Sequence, residues 1–345
     1  MGGYIDCDGE QIQTINFMNM NKKTYLWIIL PIKIGLTILF LSIFFRRIDI
    51  NSLQAVIRSV KPAYFGAALL VVFFNMYWVS TVRWKHLINF DVTGGMRKLC
   101  MLSFISQGLN FIFPGNIVGD IVKGFGVSDE NTSGRLIVSS IIMDRIVIMT
   151  SLTILSVAGL FLTRKSLWEA RLFLCPVVIV GILVAGMSAV YNRRLRGILL
   201  RIFLLPNVPK RKVVRFLKVF DIYRQNKRCV GKAILTALCA TLLTTVSYYL
   251  IGRGLSMGLN YWIWFSFVPI VIVTCKIPVT IGGLGVREGM LMFLLSSVGV
   301  APEMAVSVSL LFFVITSITS IMGVALYLIL QLKKFSEMNF AREAT

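Results

Sequence analysis

The stretch Pro278-Val-Thr-Ile-Gly-Gly-Leu-Gly-Val-Arg-Glu288 decides how this chain folds. It lies between two apolar runs, residues 261–275 and 290–300. A proline and three glycines interrupt the hydrophobic sequence, and the charged residues Arg287 and Glu288 follow at once. A helix that faces lipid does not tolerate two such charges without strong compensation. The stretch therefore predicts a broken-helix loop that is buried inside a membrane protein.

A second stretch, residues 114–123, has a similar order of residues: Pro-Gly-Asn-Ile-Val-Gly-Asp-Ile-Val-Lys. Interrupted hydrophobic segments in corresponding positions of the two halves of a chain are the best sequence pointer to a transport site. We expect a re-entrant hairpin over residues 99–128 and another over 261–300. Their turns are predicted to use Pro114, Gly115, Gly119, Pro278, Gly282, Gly283 and Gly285.

The composition agrees with a membrane protein. Hydrophobic residues make up 57% of the 345 residues, against about 45–50% in soluble domains. Apolar runs near the bilayer-crossing length of roughly 20 residues recur at 24–45, 63–82, 135–162, 172–191, 231–251 and 304–331. We predict an all-α integral membrane protein with about six full transmembrane helices and two proline/glycine-broken re-entrant hairpins. The polar, acid-containing start of the sequence predicts no cleavable signal peptide.

These segments divide into two repeats. A polar tail over residues 1–23 precedes the first repeat, 24–162, which holds the hairpin 99–128. The second repeat, 172–332, holds a basic connection over 193–230 and the hairpin 261–300. Each repeat has three full spans and one hairpin, and this arrangement predicts inverted repeats whose hairpins enter from opposite faces and meet near the midplane.

The formal charge of +21 is concentrated between the spans, with thirteen Lys or Arg residues over 193–232. The positive-inside rule explains this cluster and places both termini in the cytoplasm. Nucleic-acid binding is not expected. Within the connection, residues 211–224 have the pattern of an interfacial helix on an anionic lipid surface. A calmodulin-like partner site would have the same pattern.

Seven charged residues lie in or beside apolar sequence and are the candidate substrate-binding residues. Asp144 and Arg145 lie about ten residues into their predicted helix, roughly 15 Å from its start. Adjacent residues on a helix point in different directions, so each needs a partner from another element. Both a structural ion pair and a polar substrate or ion path remain open. The full set is Asp120, Lys123, Asp144, Arg145, Lys276, Arg287 and Glu288.

The sequence offers little for catalysis. His86 is the one histidine and lies at a span end, and the six cysteines are scattered without a Cys-x-x-Cys pair. Zinc-ligand spacing and nucleotide-binding loops are absent from the sequence. We therefore expect no metal, no cofactor and no enzymatic activity.

The two interrupted stretches, with Arg83-Trp84 and Asp144-Arg145, resemble the flippase-like membrane domain of the lysylphosphatidylglycerol synthase family. The resemblance covers about residues 24–332. It implies a lipid-translocating or lipid-handling protein of the inner (plasma) membrane, related to domains that move aminoacylated phospholipid or act in polyprenyl-linked glycan pathways. The sequence ends at Thr345 without the soluble aminoacyl-transferase domain of full-length synthases, so aminoacylation is not expected.

The leading hypothesis is a flippase-like transporter for an anionic or zwitterionic lipid, either a phospholipid or a polyprenyl-phosphate-linked sugar. Arg287 and Lys123 are expected to engage phosphate, while Glu288, Asp120 and Asp144 balance charge or take up protons. One alternative is a membrane-embedded transferase that acts on lipid-linked sugar or phosphate. Another is a non-transporting scaffold that recruits glycan-assembly enzymes through the basic connection.

Overall fold

The computed structural model describes residues 50–88, 95–112, 118–127, 134–162, 223, 226–276 and 283–343. Within these ranges the regular structure is helical. The helices are α1 Ile50–Arg58, α2 Pro62–Leu87, α3 Gly95–Ile112, α4 Val118–Val127, α5 Gly134–Leu162, α6 Lys227–Gly254, α7 Tyr261–Lys276, α8 Val286–Ser296 and α9 Pro302–Glu343.

Four of these helices, α2, α5, α6 and α9, contain segments long and apolar enough to cross a membrane. They confirm the apolar helices predicted near 63–82, 135–162, 231–251 and 304–331. Helix α7 is apolar but shorter. The predicted spans 24–45 and 172–191, the tail 1–23 and most of the connection 193–230 lie outside the described residues. The total number of spans, the re-entrant hairpins and the inverted repeats stay predictions.

Helix α2 extends further than its apolar run predicted. The predicted span over 63–82 leaves Arg83 just beyond its end, in the connection that follows, but the helix continues to Leu87. The predicted end was therefore wrong, because a charge ends an apolar run in sequence without ending the helix. Arg83 is buried and paired with a carboxylate on another helix, which supplies the compensation that a charge in this position needs.

A π-helical segment, Asn75–Val79, interrupts α2 and ties it to its neighbours. The Asn75 side-chain amide donates hydrogen bonds to the Ala240 carbonyl at 3.0 Å and to Thr244 Oγ1 at 3.1 Å, both on α6. The Gln107 amide of α3 donates to the Met76 carbonyl. A π turn changes the backbone bonding of the helix and often marks a functional region. Here it lies one turn before Arg83.

Helix α6 is central, because it packs against α2, α5, α7 and α9. The largest apolar core joins α6 to α7, α8 and α9 and includes the fully buried Tyr248, Trp264, Phe267 and Leu291. A smaller core joins α5 to the start of α6. Tyr223, in the basic connection, packs against this smaller core.

Tyr223 connects the basic connection to the end of α2. Its hydroxyl donates a hydrogen bond to the Leu87 carbonyl at 2.9 Å. Burial raises the pKa of Tyr223 to about 12, so the phenol stays protonated and remains a donor at neutral pH. The predicted interfacial helix over 211–224 otherwise lies outside the described residues.

Helices α3 and α9 touch through their backbones. A Cβ atom added to Gly108 of α3 would lie 2.6 Å from the Ser320 carbonyl oxygen, and one added to Gly323 of α9 would lie 2.6 Å from the Phe104 carbonyl oxygen. Small residues at such crossings let helices in membranes approach closely enough for strong van der Waals packing. The two glycines therefore set the distance between α3 and α9.

We expect Gly108→Ala to destabilise the protein by about 1–3 kcal/mol, because the added methyl group must push two backbones apart. The measurement is thermal unfolding of the detergent-solubilised protein. Gly66→Ala is the matched control, since a Cβ at Gly66 in helix α2 meets nothing within 4 Å. Equal unfolding temperatures for the two variants would contradict the assigned role of Gly108.

Candidate functional site

Arg83 of α2 and Asp144 of α5 form a two-point ion pair. Arg83 Nε lies 2.7 Å from Asp144 Oδ1, and Arg83 Nη2 lies 3.2 Å from Asp144 Oδ2. Arg83 also donates to Ser80 Oγ at 3.3 Å. The Arg83 and Asp144 side chains are only 10% and 14% exposed. This planar, bidentate geometry is the one in which arginine binds a carboxylate most specifically, and it links α2 to α5.

Asp120, near the start of α4, is held by residues from two other helices. Its carboxylate pairs with Arg145 of α5 and accepts hydrogen bonds from Ser106 Oγ at 3.2 Å and from Asn110 Nδ2 at 3.1 Å, both on α3. Asn110 Oδ1 in turn accepts a hydrogen bond from the Gly119 backbone N–H at 2.9 Å. Asp120 therefore joins the first interrupted region to α5.

Gly119 permits this arrangement. A Cβ atom at position 119 would lie 1.9 Å from the Ser106 carbonyl oxygen, which is closer than any side chain can approach. The start of α4 therefore packs directly on the backbone of α3, and only glycine fits there. Of the predicted turn residues in this region, Pro114 and Gly115 lie outside the described residues.

Lys123, one turn after Asp120, is buried against an aromatic ring. Its side-chain nitrogen lies 3.9 Å from the centroid of the Trp84 ring, and Lys123 is 6% exposed. An ammonium group over an indole face is favourable, and more so when water is excluded. Among the residues that the structure describes, no carboxylate lies within ion-pair distance of Lys123.

Lys276, the last residue of α7, belongs to the second interrupted region and lies within electrostatic range of charged residues around the first. The charges of Arg145, Arg83 and Asp120 all act on its ammonium group. By surface area Lys276 is exposed, in contrast to Lys123, although the surrounding protein atoms still desolvate its ammonium group. The preceding residue, Cys275, lies instead within range of the charges of Arg287 and Glu288. The end of α7 therefore lies between the two groups of charged residues.

Arg287 and Glu288 form a separate and tightly bonded cluster with Ser309 of α9. Arg287 donates to Ser309 Oγ at 2.9 Å and to Glu288 Oε1 at 3.3 Å, and the Ser309 hydroxyl donates to Glu288 Oε1 at 2.7 Å. Glu288 Oε2 accepts the Gly285 backbone N–H at 2.6 Å, which caps the start of α8. The three side chains are almost completely buried.

Two glycines shape the approach to this cluster. Gly283 and Gly285 have φ angles of 75° and 82°, a region that glycine reaches without the penalty that side chains incur. A Cβ at Gly283 would also lie 3.0 Å from the Cys275 Cβ. The turn predicted from these two glycines is consistent with their conformation, while Pro278 and Gly282 lie outside the described residues.

Aromatic residues surround Arg287. Its guanidinium lies 5.9 Å from the Phe312 ring centroid and 5.5 Å from that of Phe313. Phe313 contacts Phe111 of α3, with 5.5 Å between ring centroids, and Tyr248 of α6 stacks on Phe312 at 4.2 Å. Arg287 thus has protein partners for its Nε and Nη2 atoms, and its guanidinium also packs against aromatic rings.

The family model for the lysylphosphatidylglycerol synthase TM region matches residues 28–323 of this chain. That match spans most of the sequence, including both interrupted regions and all seven candidate site residues. The chain belongs to this family. Comparisons with curated proteins and with solved structures gave no match.

As a member of the lysylphosphatidylglycerol synthase TM-region family with apolar spanning helices, the chain is an integral membrane protein of a lipid-related family. Two ion pairs form one group of contacts, which we call the paired network and define as Arg83, Asp144, Arg145 and Asp120. Three of these are predicted site residues, and two more, Lys123 and Lys276, lie near the network. The other two predicted residues, Arg287 and Glu288, lie in their own cluster.

The prediction that Asp144 and Arg145 need partners from other elements is confirmed, because Asp144 pairs with Arg83 and Arg145 with Asp120. Two residues were not among the predicted site residues, namely Arg83 of the paired network and Trp84, whose ring covers Lys123. Their only signal was the Arg-Trp dipeptide within the family resemblance.

The charge of the site follows from these contacts. The formal charges of the two arginines and the two aspartates in the paired network sum to zero. Lys123 and Lys276 add positive charge beside it. In the described part of the chain, no group of three His, Cys, Asp or Glu side chains could hold a metal ion. The site is suited to binding an anionic group.

Proposed function

We propose that this protein is a flippase-like transporter that moves an anionic or zwitterionic lipid between the leaflets of the membrane. The lipid is a phospholipid or a polyprenyl-phosphate-linked sugar. Membership of a lipid-related membrane family supports the proposal. So does the placement of ionised groups inside apolar helices, since charge in a spanning segment is costly and marks substrate or ion pathways.

The observation that carries the proposal is the convergence of α2, α4, α5 and α7 on the paired network. Asp144 lies eight residues inside the candidate span Leu136–Gly159, about 12 Å from its start. A polar headgroup crossing the membrane needs such a place, while its acyl chains remain in lipid. The Arg145 side chain is 35% exposed and is therefore open to a headgroup.

The contacts suggest different roles for different candidate residues. We assign phosphate contact to Lys123, Lys276 and Arg145, and helix positioning to Arg83 with Asp144. Arg287, which the sequence suggested as a phosphate ligand, uses Nε and Nη2 to bind Ser309 and Glu288 within the protein. We therefore propose that the Arg287–Glu288 cluster fixes the second interrupted region.

The test is headgroup movement in reconstituted vesicles that contain a lipid with a fluorescent headgroup. We expect the protein to equilibrate the lipid between leaflets, and the Asp120→Asn, Arg145→Gln double variant to slow this at least about tenfold. The double substitution removes both charges while keeping similar side-chain shapes. Gly66→Ala should transport normally. Movement no faster than in protein-free vesicles would overturn the proposal.

We further propose that the protein is not an enzyme and that both termini face the cytoplasm in the inner membrane. Purified protein incubated with lipid-linked sugar or phosphate should give no new covalent product by mass spectrometry. For orientation, a membrane-impermeant thiol reagent should label Cys7 in the N-terminal tail only after the cells are opened. A covalent product, or labelling of intact cells, would contradict the respective proposal.

A further inference from the structure

The π-helical segment Asn75–Val79 places one extra residue in helix α2. The Ser80 backbone N–H bonds the Asn75 carbonyl, five residues back, whereas in an α-helix it would bond the Met76 carbonyl, four residues back. Each residue of an α-helix turns the chain by about 100°. The extra residue therefore rotates the end of α2, Ser80–Leu87, by about 100° relative to an unbroken α-helix.

This rotation decides where the side chains at the end of α2 point. As the helix stands, Arg83 forms the bidentate pair with Asp144. Trp84 lies over the Lys123 ammonium group, and the next residue, Lys85, is exposed. Without the extra residue, Arg83 would point where Trp84 now points, and Trp84 would point where Lys85 now points. The guanidinium would then leave its carboxylate and approach a lysine, so the rotated helix is the one that pairs these charges.

Gln107 of α3 supplies the hydrogen-bond donor that the extra residue takes away. The Ser80 N–H, which would bond the Met76 carbonyl in an α-helix, is used by Asn75. The Gln107 side-chain amide donates to the Met76 carbonyl instead. A backbone carbonyl without a donor is costly inside a membrane. Gln107 therefore stabilises the π form of the helix.

Two further helices hold the same turn. The Asn75 amide donates to the Ala240 carbonyl at 3.0 Å and to Thr244 Oγ1 at 3.1 Å, both on α6. On α9, Thr319 Oγ1 lies 3.2 Å from Met76 Sδ. The first two residues of the π segment are therefore fixed to three helices, and the rotation that the segment introduces is passed on to the end of α2.

We propose that Gln107 and Asn75 are positioning residues for the paired network. They hold the π turn, which aims Arg83 at Asp144 and keeps the aromatic ring over Lys123. Gln107 bonds α2 and Asn75 bonds α6, so both act on the network through the rotation of the helix. The role goes beyond the proposed function, since it concerns how the charges are placed and not what they bind.

Deletion of Trp78 tests the role of the extra residue directly. Trp78 is the most exposed residue of the π segment, at 44%, so its loss removes little packing. In the shortened chain Ser80 is the fourth residue after Asn75, and their existing hydrogen bond becomes an α-helical one. Thr81 becomes the fourth residue after Met76 and can donate to its carbonyl. The end of α2 keeps its direction.

We expect the full chain without Trp78 to fold and to unfold in detergent at a temperature close to that of the wild type. Deletion of Leu70 is the matched control, because Leu70 is also an exposed apolar residue of α2 but lies in its regular first part, Pro62–Phe74. That deletion turns part of the helix by about 100° out of its contacts. It should lower the unfolding temperature at least about three times as far as deletion of Trp78.

Gln107→Leu removes the donor to the Met76 carbonyl. In the wild-type chain we expect it to lower the unfolding temperature. In the chain without Trp78 it should lower this temperature at most about a third as far, because the carbonyl then has a backbone donor.

A cycle with Asp144→Leu separates positioning from simple stabilisation. If Gln107 only added stability, its loss would add to that of a residue it does not touch. If Gln107 positions Arg83, the ion pair is already broken in Gln107→Leu, and Asp144→Leu should lower the unfolding temperature at most about half as far as in the wild type. Glu288→Leu, in the separate cluster, is the control and should have the same effect in both proteins.

Three results would overturn the assignment. The first is that deletion of Trp78 unfolds the protein as readily as deletion of Leu70. The second is an equal effect of Gln107→Leu with and without Trp78, and the third is additive losses for Gln107→Leu and Asp144→Leu. Absence of lipid movement by the wild-type protein in vesicles would defeat the proposed function and leave this assignment standing.

Discussion

Asp144→Leu should destabilise the protein by about 3–5 kcal/mol, one of the two largest effects expected from a single substitution. The change leaves the Arg83 guanidinium buried without its carboxylate, and an unpaired buried charge costs far more than the pair itself contributes. The free energy of unfolding is measured by chemical denaturation in detergent micelles. The loss should be seen as a lower denaturation midpoint.

The double variant Arg83→Leu, Asp144→Leu separates the ion pair from its parts. Removing both charges also removes the unpaired one, so we expect the double variant to regain most of the stability that Asp144→Leu loses. Arg253→Leu is the control for loss of an exposed arginine at the end of α6, and it should have little effect. Additive losses in the double variant would show that Arg83 and Asp144 do not act on each other.

The double variant also decides between the two interpretations of Asp144. If the pair only holds α2 to α5, a folded double variant should still move lipid at the wild-type rate. If the pair belongs to the path of the headgroup, transport should fall although stability has recovered. The vesicle assay and the unfolding measurement on the same preparation distinguish these results.

Glu288→Leu is the second substitution with a large expected effect, also about 3–5 kcal/mol. The Glu288 carboxylate holds the Gly285 N–H, the Ser309 hydroxyl and the Arg287 guanidinium, and leucine leaves all three buried without this partner. Thermal unfolding should begin at a lower temperature, because the start of α8 loses its cap.

Glu288→Gln is the matched control, since the amide retains one oxygen acceptor and nearly the same shape. We expect it to cost less than half as much as Glu288→Leu. Similar losses for the two variants would indicate that the negative charge, and not the cap, is what stabilises α8. Neither variant should change lipid selectivity if Arg287 and Glu288 are structural, and altered selectivity in Glu288→Gln would return Arg287 to the headgroup site.

The sequence predicted the helices that contain apolar runs. It also predicted the two interrupted stretches, 114–123 and 278–288, in which charged residues follow the apolar sequence. Hydrophobicity is a local property, so the four described spanning helices could be located from composition alone. Gly119 and Gly285 were predicted as turn residues because a proline or charge lies close to them in sequence. Their structural reasons are different, namely the contact of Gly119 with the α3 backbone and the positive φ of Gly285.

The pairing of the charges could not be read from the sequence. Arg83 and Asp144 are 61 residues apart, and nothing local marks them as partners. The apolar run ends at residue 82, just before Arg83, so hydrophobicity alone leaves Arg83 outside its helix for the same reason. Arg287 and Glu288, although adjacent, contact each other because both converge on Ser309, a residue that looks like an ordinary small side chain of an apolar helix.

The glycine contact between α3 and α9 has a consequence for the proposed transport. Where two backbones touch, no side chain can change rotamer to absorb sliding, so we expect these helices to travel as one rigid block. Helix α4 packs on the α3 backbone at Gly119 and so belongs with this block. The Asp120–Arg145 pair, in contrast, joins α4 to α5, which lies outside the block. Under the proposed function, we expect a crevice to open toward either leaflet when this pair breaks.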